Sequence, residues 1–186
     1  MNILILRGSP RPHGNTAQLI RAFTEGAASI WNKTRCLDVT AMKIAPCTAC
    51  NYCRNEKTLE RCCIEDDMGQ IYAAMAEADM LVLATPLYYF GFSAQLKTVI
   101  DRFFAVNGSL KRDELSKGGI GRMFLLAVCG DDDESAMGAL VENYRLICAY
   151  LGIENAGEVL AVGVNDIGDI EGHAALKAAR ELGESL

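Results

Sequence analysis

Short apolar runs alternate with amphipathic stretches about five times along this chain. The alternation constrains the fold more than any other feature, because it is what a parallel sheet with helices on both faces requires. We predict strands at 2–7, 35–39, 79–84, 122–129 and 158–164. We predict helices at 15–29, 66–77, 93–106, 134–151 and 171–182.

The order of these elements predicts an α/β fold with a doubly wound, five-stranded parallel sheet of the flavodoxin-like type, strand order 2-1-3-4-5. The 186 residues suit one domain, so we expect 1–186 to form a single domain that carries a cysteine-rich loop at 46–65. Ligands of such sheets bind beyond the carboxyl ends of the strands. The site is therefore predicted on the loops 8–14, 86–91 and 130–133.

Charge and hydropathy argue against two classes of partner. The net charge is −6, and no stretch interleaves Lys or Arg with aromatic residues as a nucleic-acid groove would. The longest uncharged run, 80–96, contains several polar and helix-breaking residues, which predicts a strand, a loop and a helix start instead of a membrane span. With no export signal recognisable at the N-terminus, we expect a cytoplasmic protein with neither a nucleic-acid nor a membrane partner.

The segment GSPRPHGNT joins the first strand to the first helix, so its backbone N–H groups and the helix N-terminus can converge on one anion. Hydroxyl, amide and guanidinium donors are added by Ser9, Thr16, Asn15 and Arg11. The segment lacks both the Walker pattern and GxGxxG, which disfavours a nucleoside triphosphate or a classical dinucleotide site. The alternative is that Asn15 or Thr16 only caps the helix.

Together with TPLYYFGFSAQLKTVIDRF further along the chain, GSPRPHGNT resembles the NAD(P)H-dependent FMN reductase family and its iron–sulfur flavoprotein relatives. The resemblance spans nearly the whole chain. It implies that FMN is bound, with its phosphate at Ser9, Arg11, Asn15 and Thr16. It also implies a homodimer or homotetramer.

Two further loops are predicted to contact the FMN that this resemblance implies. The first places three aromatics after the third strand, where a planar ring can stack, and the family pattern assigns the ribityl chain and ring to Pro86, Leu87, Tyr88, Tyr89, Phe90 and Gly91. The aromatics could instead fill the core or a dimer interface. After the fourth strand, ring contacts are predicted for Cys129, Gly130 and Asp131. In the helix between them, Lys97 and Asp101 are spaced to form a surface ion pair.

Five of the eight cysteines cluster within the loop 46–65. Paired CxxC turns bring together Cys47, Cys50 and Cys53, and Cys62 or Cys63 can supply a fourth thiolate. With no histidine nearby, iron–sulfur and zinc are the chemically sensible occupants, and free thiols are the alternative. The resemblance to iron–sulfur flavoproteins implies a 4Fe-4S cluster. It selects Cys62, because three residues separate that cysteine from the element Asp66-Asp67-Met68.

These features predict an FMN-dependent oxidoreductase that is linked to NAD(P)H and uses the cluster as an electron relay. Its electron donors and acceptors would be small molecules or proteins. No side chain has the features of a dedicated general acid or base, so we predict no catalytic residue. Two alternatives stay open: a cluster-free NAD(P)H:FMN, quinone or azo reductase, and a non-enzymatic flavodoxin-like electron carrier.

Overall fold

The structure, a computed structural model, describes residues 1–28, 31–54, 62–106 and 119–186. All the strands run parallel in one sheet of order β2-β1-β3-β4-β5, which confirms the predicted flavodoxin-like topology. The strands are β1 (Asn2–Arg7), β2 (Lys33–Asp38), β3 (Met80–Pro86), β4 (Arg122–Val128) and β5 (Glu154–Ala161).

Helices follow the strands at the predicted places. They are α1 (Asn15–Gly26), α2 (Met68–Glu77), α3 (Ala94–Asp101), α4 (Gly138–Leu151) and α5 (Ala174–Glu184). Shorter 3-10 turns are formed by Tyr52–Arg54, Arg102–Val106 and Glu134–Met137. No helix in the described ranges has the length and apolar character that crossing a membrane requires.

Alternate side chains of the central strands enter two separate cores. From β1, Leu4 and Leu6 pack with α2, α3 and α4, whereas Ile3 and Ile5 pack on the opposite face with α1 and α5. This arrangement explains why β1, β3 and β4 read as continuous apolar runs, because strands covered on both faces need no polar alternation. Because the strands are parallel, their carboxyl ends lie together at one edge of the sheet, between the two helical layers.

The predicted bounds of β5 are wrong. The strand covers Glu154–Ala161 and not 158–164, and a register irregularity lies opposite the β4 segment Met123–Leu125. Gly157 lies at this irregularity and has φ +131°. Asn155, Ala156 and Gly157 are weak β-formers, so the first half of the strand has no clear strand pattern in the sequence. Beyond the strand the chain turns at Gly163, with φ +68°, and crosses the end of β4.

Other bounds shift by a few residues. β2 begins at Lys33 instead of 35, and the helix predicted for 93–106 ends at Asp101 and continues as a 3-10 turn. The helix predicted for 134–151 likewise opens with a 3-10 turn. Most of the loop between α3 and β4, at 107–118, lies outside the described residues, as do 29–30 and 55–61.

Candidate functional site

The loops that follow β1, β3 and β4 meet at the carboxyl edge of the sheet and surround one cavity. A fourth loop, after β5, completes its wall. The cavity is lined by Ser9, Arg11, Asn15, Thr16, Pro86, Leu87, Tyr88, Val128, Gly130, Val164 and Asn165. The structure therefore brings together residues from all three loops that the sequence indicated.

The first loop ends at α1 with its donors turned inward. Ser9, Asn15 and Thr16 are buried, and the Ser9 Oγ accepts a hydrogen bond from the backbone N–H of Arg11 over 3.3 Å. The N-cap residue is Gly14, and no side chain of the described residues caps the helix. The alternative in which Asn15 or Thr16 serves only as the cap is therefore wrong, and the positive end of α1 faces the cavity without a capping oxygen.

The loop after β5 is fastened onto this first loop. Arg11 donates from Nη1 to the backbone carbonyl of Asn165 over 2.5 Å. Asn15 donates from Nδ2 to the carbonyl of Asp166 over 2.9 Å and accepts the N–H of Gly168 over 3.2 Å. Asn15 thus holds the fourth loop in place as well as lining the cavity.

Val164 and Asn165 were missed by the sequence reasoning. The predicted strand 158–164 begins four residues and ends three residues beyond the observed one, so Val164 and Asn165 lie at or beyond its predicted end. The structure turns them inward because Gly163 donates to the carbonyl of Asp131 over 2.7 Å and Val164 donates to that of Cys129 over 2.8 Å. Gly163 and the turn-forming residues that follow it, Asn165 and Asp166, are a sequence signal for this turn.

The aromatic loop after β3 is a tight turn. The backbone N–H groups of Tyr88 and Gly91 each bond the other's carbonyl over 3.1 Å. The two residues between them, Tyr89 and Phe90, have φ +45° and +62°, left-handed values that bulky side chains seldom adopt. Tyr88 lines the cavity, whereas Tyr89 is 100% and Phe90 62% exposed.

Both ends of this aromatic turn are pinned. Leu87 donates to the carbonyl of Val128 over 2.8 Å. The Thr85 hydroxyl donates to the carbonyl of Pro86 and accepts the N–H of Ser93, whose own hydroxyl caps α3. The strained turn therefore has a rigid base, which is the condition under which such backbone persists.

The β4 loop contributes mainly backbone. Gly130 lines the cavity, and a Cβ added there would lie 3.2 Å from Asn165 Oδ1, so glycine allows the two loops to touch. Cys129 is buried, and its Sγ accepts the N–H of Asp131 over 3.3 Å. Neither Cys129 nor Asp131 is among the lining residues.

A second cavity holds the cysteine cluster. Residues of α3 and of the 3-10 turn that follows it form part of the cavity wall. The cavity is also lined by all five clustered cysteines, Cys47, Cys50, Cys53, Cys62 and Cys63. None of them is in a disulfide. Cys50 Sγ lies 3.5 Å from Cys63 Sγ, and Ala49 and Asn51, on either side of Cys50, have left-handed backbone.

The thiols are gathered but not arranged around a metal position. Within the described ranges, no group of three or more His, Cys, Asp or Glu side chains is positioned to hold a metal ion. The pKa of the Cys50 thiol is nevertheless lowered, first by the backbone N–H of Tyr52 and then by hydrogen bonds involving Cys63 and Thr48. Such hydrogen bonds favour a thiolate, which is the form that binds metal.

A buried ion pair supports this cavity. Arg102 Nη1 lies 2.5 Å from Asp66 Oδ2 and 3.2 Å from the carbonyl of Ala45. Burial acts to raise the pKa of Asp66, but hydrogen bonds from Arg102 and from the N–H groups of Ala45 and Met68 outweigh it and hold the pKa below its usual value. The exposed pair predicted between Lys97 and Asp101 is also present, at 2.5 Å.

Comparison with known proteins agrees with this geometry. A family model described as NADPH-dependent FMN reductase matches residues 1–163. An iron-sulfur flavoprotein of Methanocaldococcus jannaschii is 38% identical over 102 residues, which are 55% of this chain and 51% of that protein. An iron-sulfur flavoprotein of Archaeoglobus fulgidus is 28% identical over 190 residues, which cover 100% of this chain and 79% of the relative.

The match to the first of these relatives thus spans about half of its length. Among solved structures, the fold resembles an NAD(P)H:quinone oxidoreductase from Methanothermobacter marburgensis, with a TM-score of 0.74, 21% identity, and coverage of 100% of this chain and 96% of that one. An FMN-dependent NADH-azoreductase from Bacillus anthracis in complex with FMN gives a TM-score of 0.72 at 18% identity, covering 99% and 98%. Because the family model matches residues 1–163, this chain belongs to the NADPH-dependent FMN reductase family.

Proposed function

We propose that this protein is an FMN-dependent oxidoreductase that takes electrons from NAD(P)H and uses a 4Fe-4S cluster as a relay. The observation that carries the flavin part is the cavity at the carboxyl edge of the sheet. There the positive end of α1, two buried hydroxyls and the Arg11 guanidinium surround one space. A phosphate monoester is the anion that this donor set suits.

The charge of Arg11 supports the phosphate role. Its described hydrogen-bond partner is a neutral carbonyl, that of Asn165, and across the described ranges it takes part in no ion pair. The cation is therefore held in position without being neutralised. In the proposed complex, Arg11, Ser9 and Thr16 donate to the phosphate, and Asn15 keeps the fourth loop against it.

The rest of the cavity supplies a wall for the ring. The rest of the lining consists of residues with apolar or aromatic side chains, Pro86, Leu87, Tyr88, Val128 and Val164. When bound, FMN would supply the transfer of a hydride or of electrons, so these residues need only orient the ring and exclude water. The described residues that line the cavity include no histidine or carboxylate, and we propose that no side chain transfers a proton in this site.

The remaining predicted flavin contacts stay predictions. Phe90 and Tyr89 would reach a ring only from the exposed tip of their turn, and Gly91 would allow close approach of backbone. Cys129 and Asp131 would act through backbone atoms at the end of β4. We propose that a second copy of the chain covers the exposed aromatics in a homodimer or homotetramer, for which the molecular mass in solution is the test. A cytoplasmic location also stays a prediction.

The cysteine cavity fits a cluster by its chemistry. The described residues that line it offer sulfur from five thiols and no histidine. We propose that Cys47, Cys50, Cys53 and Cys62 hold the cluster. The names of the two relatives described above, both iron-sulfur flavoproteins, support an iron–sulfur group in this protein.

Anaerobic reconstitution followed by titration with NADH or NADPH tests the proposal. We expect stoichiometric FMN, iron and acid-labile sulfide, and bleaching of the flavin absorbance by one of the two nucleotides. FMN reduction without iron or sulfide would identify a cluster-free reductase. Bound FMN that neither nucleotide reduces would identify an electron carrier served by protein partners.

A further inference from the structure

We propose that Arg102 is a positioning residue for the cluster: it orients Cys62 as the fourth ligand and raises the reduction potential of the site. This inference rests on the proposed iron–sulfur function. It concerns a residue that directly follows the surface pair Lys97–Asp101 in the sequence. In the structure Arg102 differs from that exposed pair, because its side chain is buried. It contacts the two ends of the segment from 45 to 64 that carries the clustered cysteines, called the cysteine segment below.

The guanidinium contacts both ends of the cysteine segment. Nη1 donates to the carbonyl of Ala45, two residues before Cys47, over 3.2 Å. Nη2 donates to the carbonyl of Ile64 over 3.2 Å and to Cys62 Sγ over 3.5 Å. One side chain thus joins the entry and exit of the segment, so the entropy of closing this loop is lost during folding and not when iron binds.

Asp66 reinforces the same closure. Its Oδ2 accepts both Arg102 Nη1 and the N–H of Ala45, the latter over 2.8 Å, and its Oδ1 accepts the N–H of Met68 over 3.0 Å. The ion pair therefore connects the cysteine segment to the first turn of α2. A buried pair with this many hydrogen bonds holds its geometry well, since loss of either partner leaves a charge uncompensated.

The arrangement distinguishes Cys62 from its neighbour Cys63. Cys62 is half-buried and accepts a hydrogen bond from a buried cation, whereas Cys63 is exposed and its sulfur lies against Cys50. Arg102 Nε is also a buried donor with no hydrogen-bond partner among the described residues. Nη1 and Nη2 therefore carry the described hydrogen bonds of the guanidinium, including the one to Cys62 Sγ.

A cation and an N–H···S hydrogen bond at a ligating sulfur both stabilise the state that carries the additional electron. Hydrogen bonds to the sulfurs and net charge are among the main determinants of iron–sulfur potentials. Arg102 should therefore raise the reduction potential, and Asp66 should offset part of its charge. A role limited to folding would not produce these opposite effects.

The test is the midpoint potential of the reconstituted holoprotein, measured by EPR during a redox titration. We compare the wild type with Arg102→Gln, Arg102→Lys, Asp66→Asn and the double variant Asp66→Asn/Arg102→Gln. The double variant leaves no buried charge unpaired, so it keeps the test available if Arg102→Gln alone does not fold. Arg145→Gln, which breaks an exposed pair with Glu158, is the matched control. FMN content reports the integrity of the fold in every sample.

For Arg102→Gln we expect the ratio of reduced to oxidised cluster at a fixed ambient potential to fall at least tenfold, which is 59 mV for a one-electron couple. In the double variant this ratio should fall less than in Arg102→Gln. In Arg102→Lys the ratio should lie between those of the double variant and the wild type, and in Asp66→Asn it should rise above the wild-type ratio. Loss of iron from Arg102→Gln with full FMN content would also support the positioning role. A potential equal to that of Arg145→Gln would overturn the inference for Arg102 alone. Reconstituted wild type that holds FMN but no iron or sulfide would overturn the cluster and this role together.

Discussion

Arg11 Nη1 donates to the backbone carbonyl of Asn165 over 2.5 Å, which joins the first loop of the sheet to the last. The contact positions a cation at the cavity and leaves its charge unneutralised, because its acceptor is a peptide oxygen. It also places Asn165 in the cavity wall. The anion site is therefore built from residues at opposite ends of the chain.

Arg11→Gln should weaken FMN binding more than riboflavin binding, since only FMN carries the phosphate. Loss of a hydrogen bond to a charged group predicts about 1.5–3 kcal/mol, or roughly 10- to 100-fold in Kd for FMN. Fluorescence titration of the apoprotein with both ligands measures this. Arg21→Gln, which removes an exposed cation from α1, is the control. Equal losses for both ligands would show that Arg11 does not contact the phosphate.

Asn15→Ala should behave differently from Arg11→Gln. Its side chain holds the loop 166–168, so its removal should loosen the whole cavity and weaken FMN and riboflavin by similar factors. We expect about 1–3 kcal/mol for the hydrogen-bonding groups left unpaired. Hydrogen exchange should show faster opening at Gly168. A loss confined to FMN would instead assign Asn15 to the phosphate.

The left-handed backbone at Phe90 should cost stability. Phe90→Gly removes the strain of a positive φ, because glycine adopts such values readily, whereas Phe90→Ala keeps that strain. Both variants remove the same exposed aromatic ring. We expect the glycine variant to exceed the alanine variant by about 1 kcal/mol in the free energy of unfolding, which is roughly 2–4 °C in Tm. Thermal unfolding of the apoproteins measures the difference. Equal stabilities would mean that the turn is not strained.

Serine at Cys50 and serine at Cys63 should have opposite consequences for iron. We expect Cys50→Ser to abolish iron and sulfide while FMN stays bound, because the proposed cluster loses a ligand. Cys63→Ser should retain iron near the wild-type amount, although its sulfur lies 3.5 Å from that of Cys50. Anaerobic reconstitution with iron, sulfide and zinc analysis measures both. Loss of iron in Cys63→Ser would make Cys63 the fourth ligand.

Asp66 should make the free energy of unfolding decrease as the pH falls into the acid range. The pKa of Asp66 in the folded protein is lower than in the unfolded chain, where it is about 3.9. The contribution of Asp66 to the free energy of unfolding is therefore complete above about pH 3.9 and is lost as the pH falls through the pKa of the folded state. At neutral pH, Asp66→Asn leaves Arg102 unpaired and should cost about 3–5 kcal/mol. The difference from wild type should shrink below about pH 4. Urea unfolding across this range measures it, with Asp101→Asn as the exposed control; a pH-independent difference would contradict the assignment.

The pattern of apolar runs, glycines and cysteines along the chain was enough to predict the sheet order, the two helical layers and three of the four loops around the cavity. Runs such as Leu81–Leu83 and Met123–Leu126 are apolar on both faces, so burial between two helical layers is their only stable arrangement. The segment GSPRPHGNT could be placed because a strand followed directly by a helix forces its donors to one edge. The clustering of the cysteines was likewise a local property of the chain.

The way in which distant segments complete these sites could not be predicted from the sequence, because it depends on the packing of the folded chain. The turn at Gly163 that brings Asn165 to Arg11 depends on hydrogen bonds to the end of β4, and an edge strand with a bulge gives little periodic signal for it. The contact of Arg102 with Cys62 joins residues 40 apart, and the spacing of charges on α3 could not distinguish a buried cation from an exposed one. Helical spacing depends on neighbours along the chain, whereas burial depends on which segment packs against the helix, and that is set by the fold as a whole.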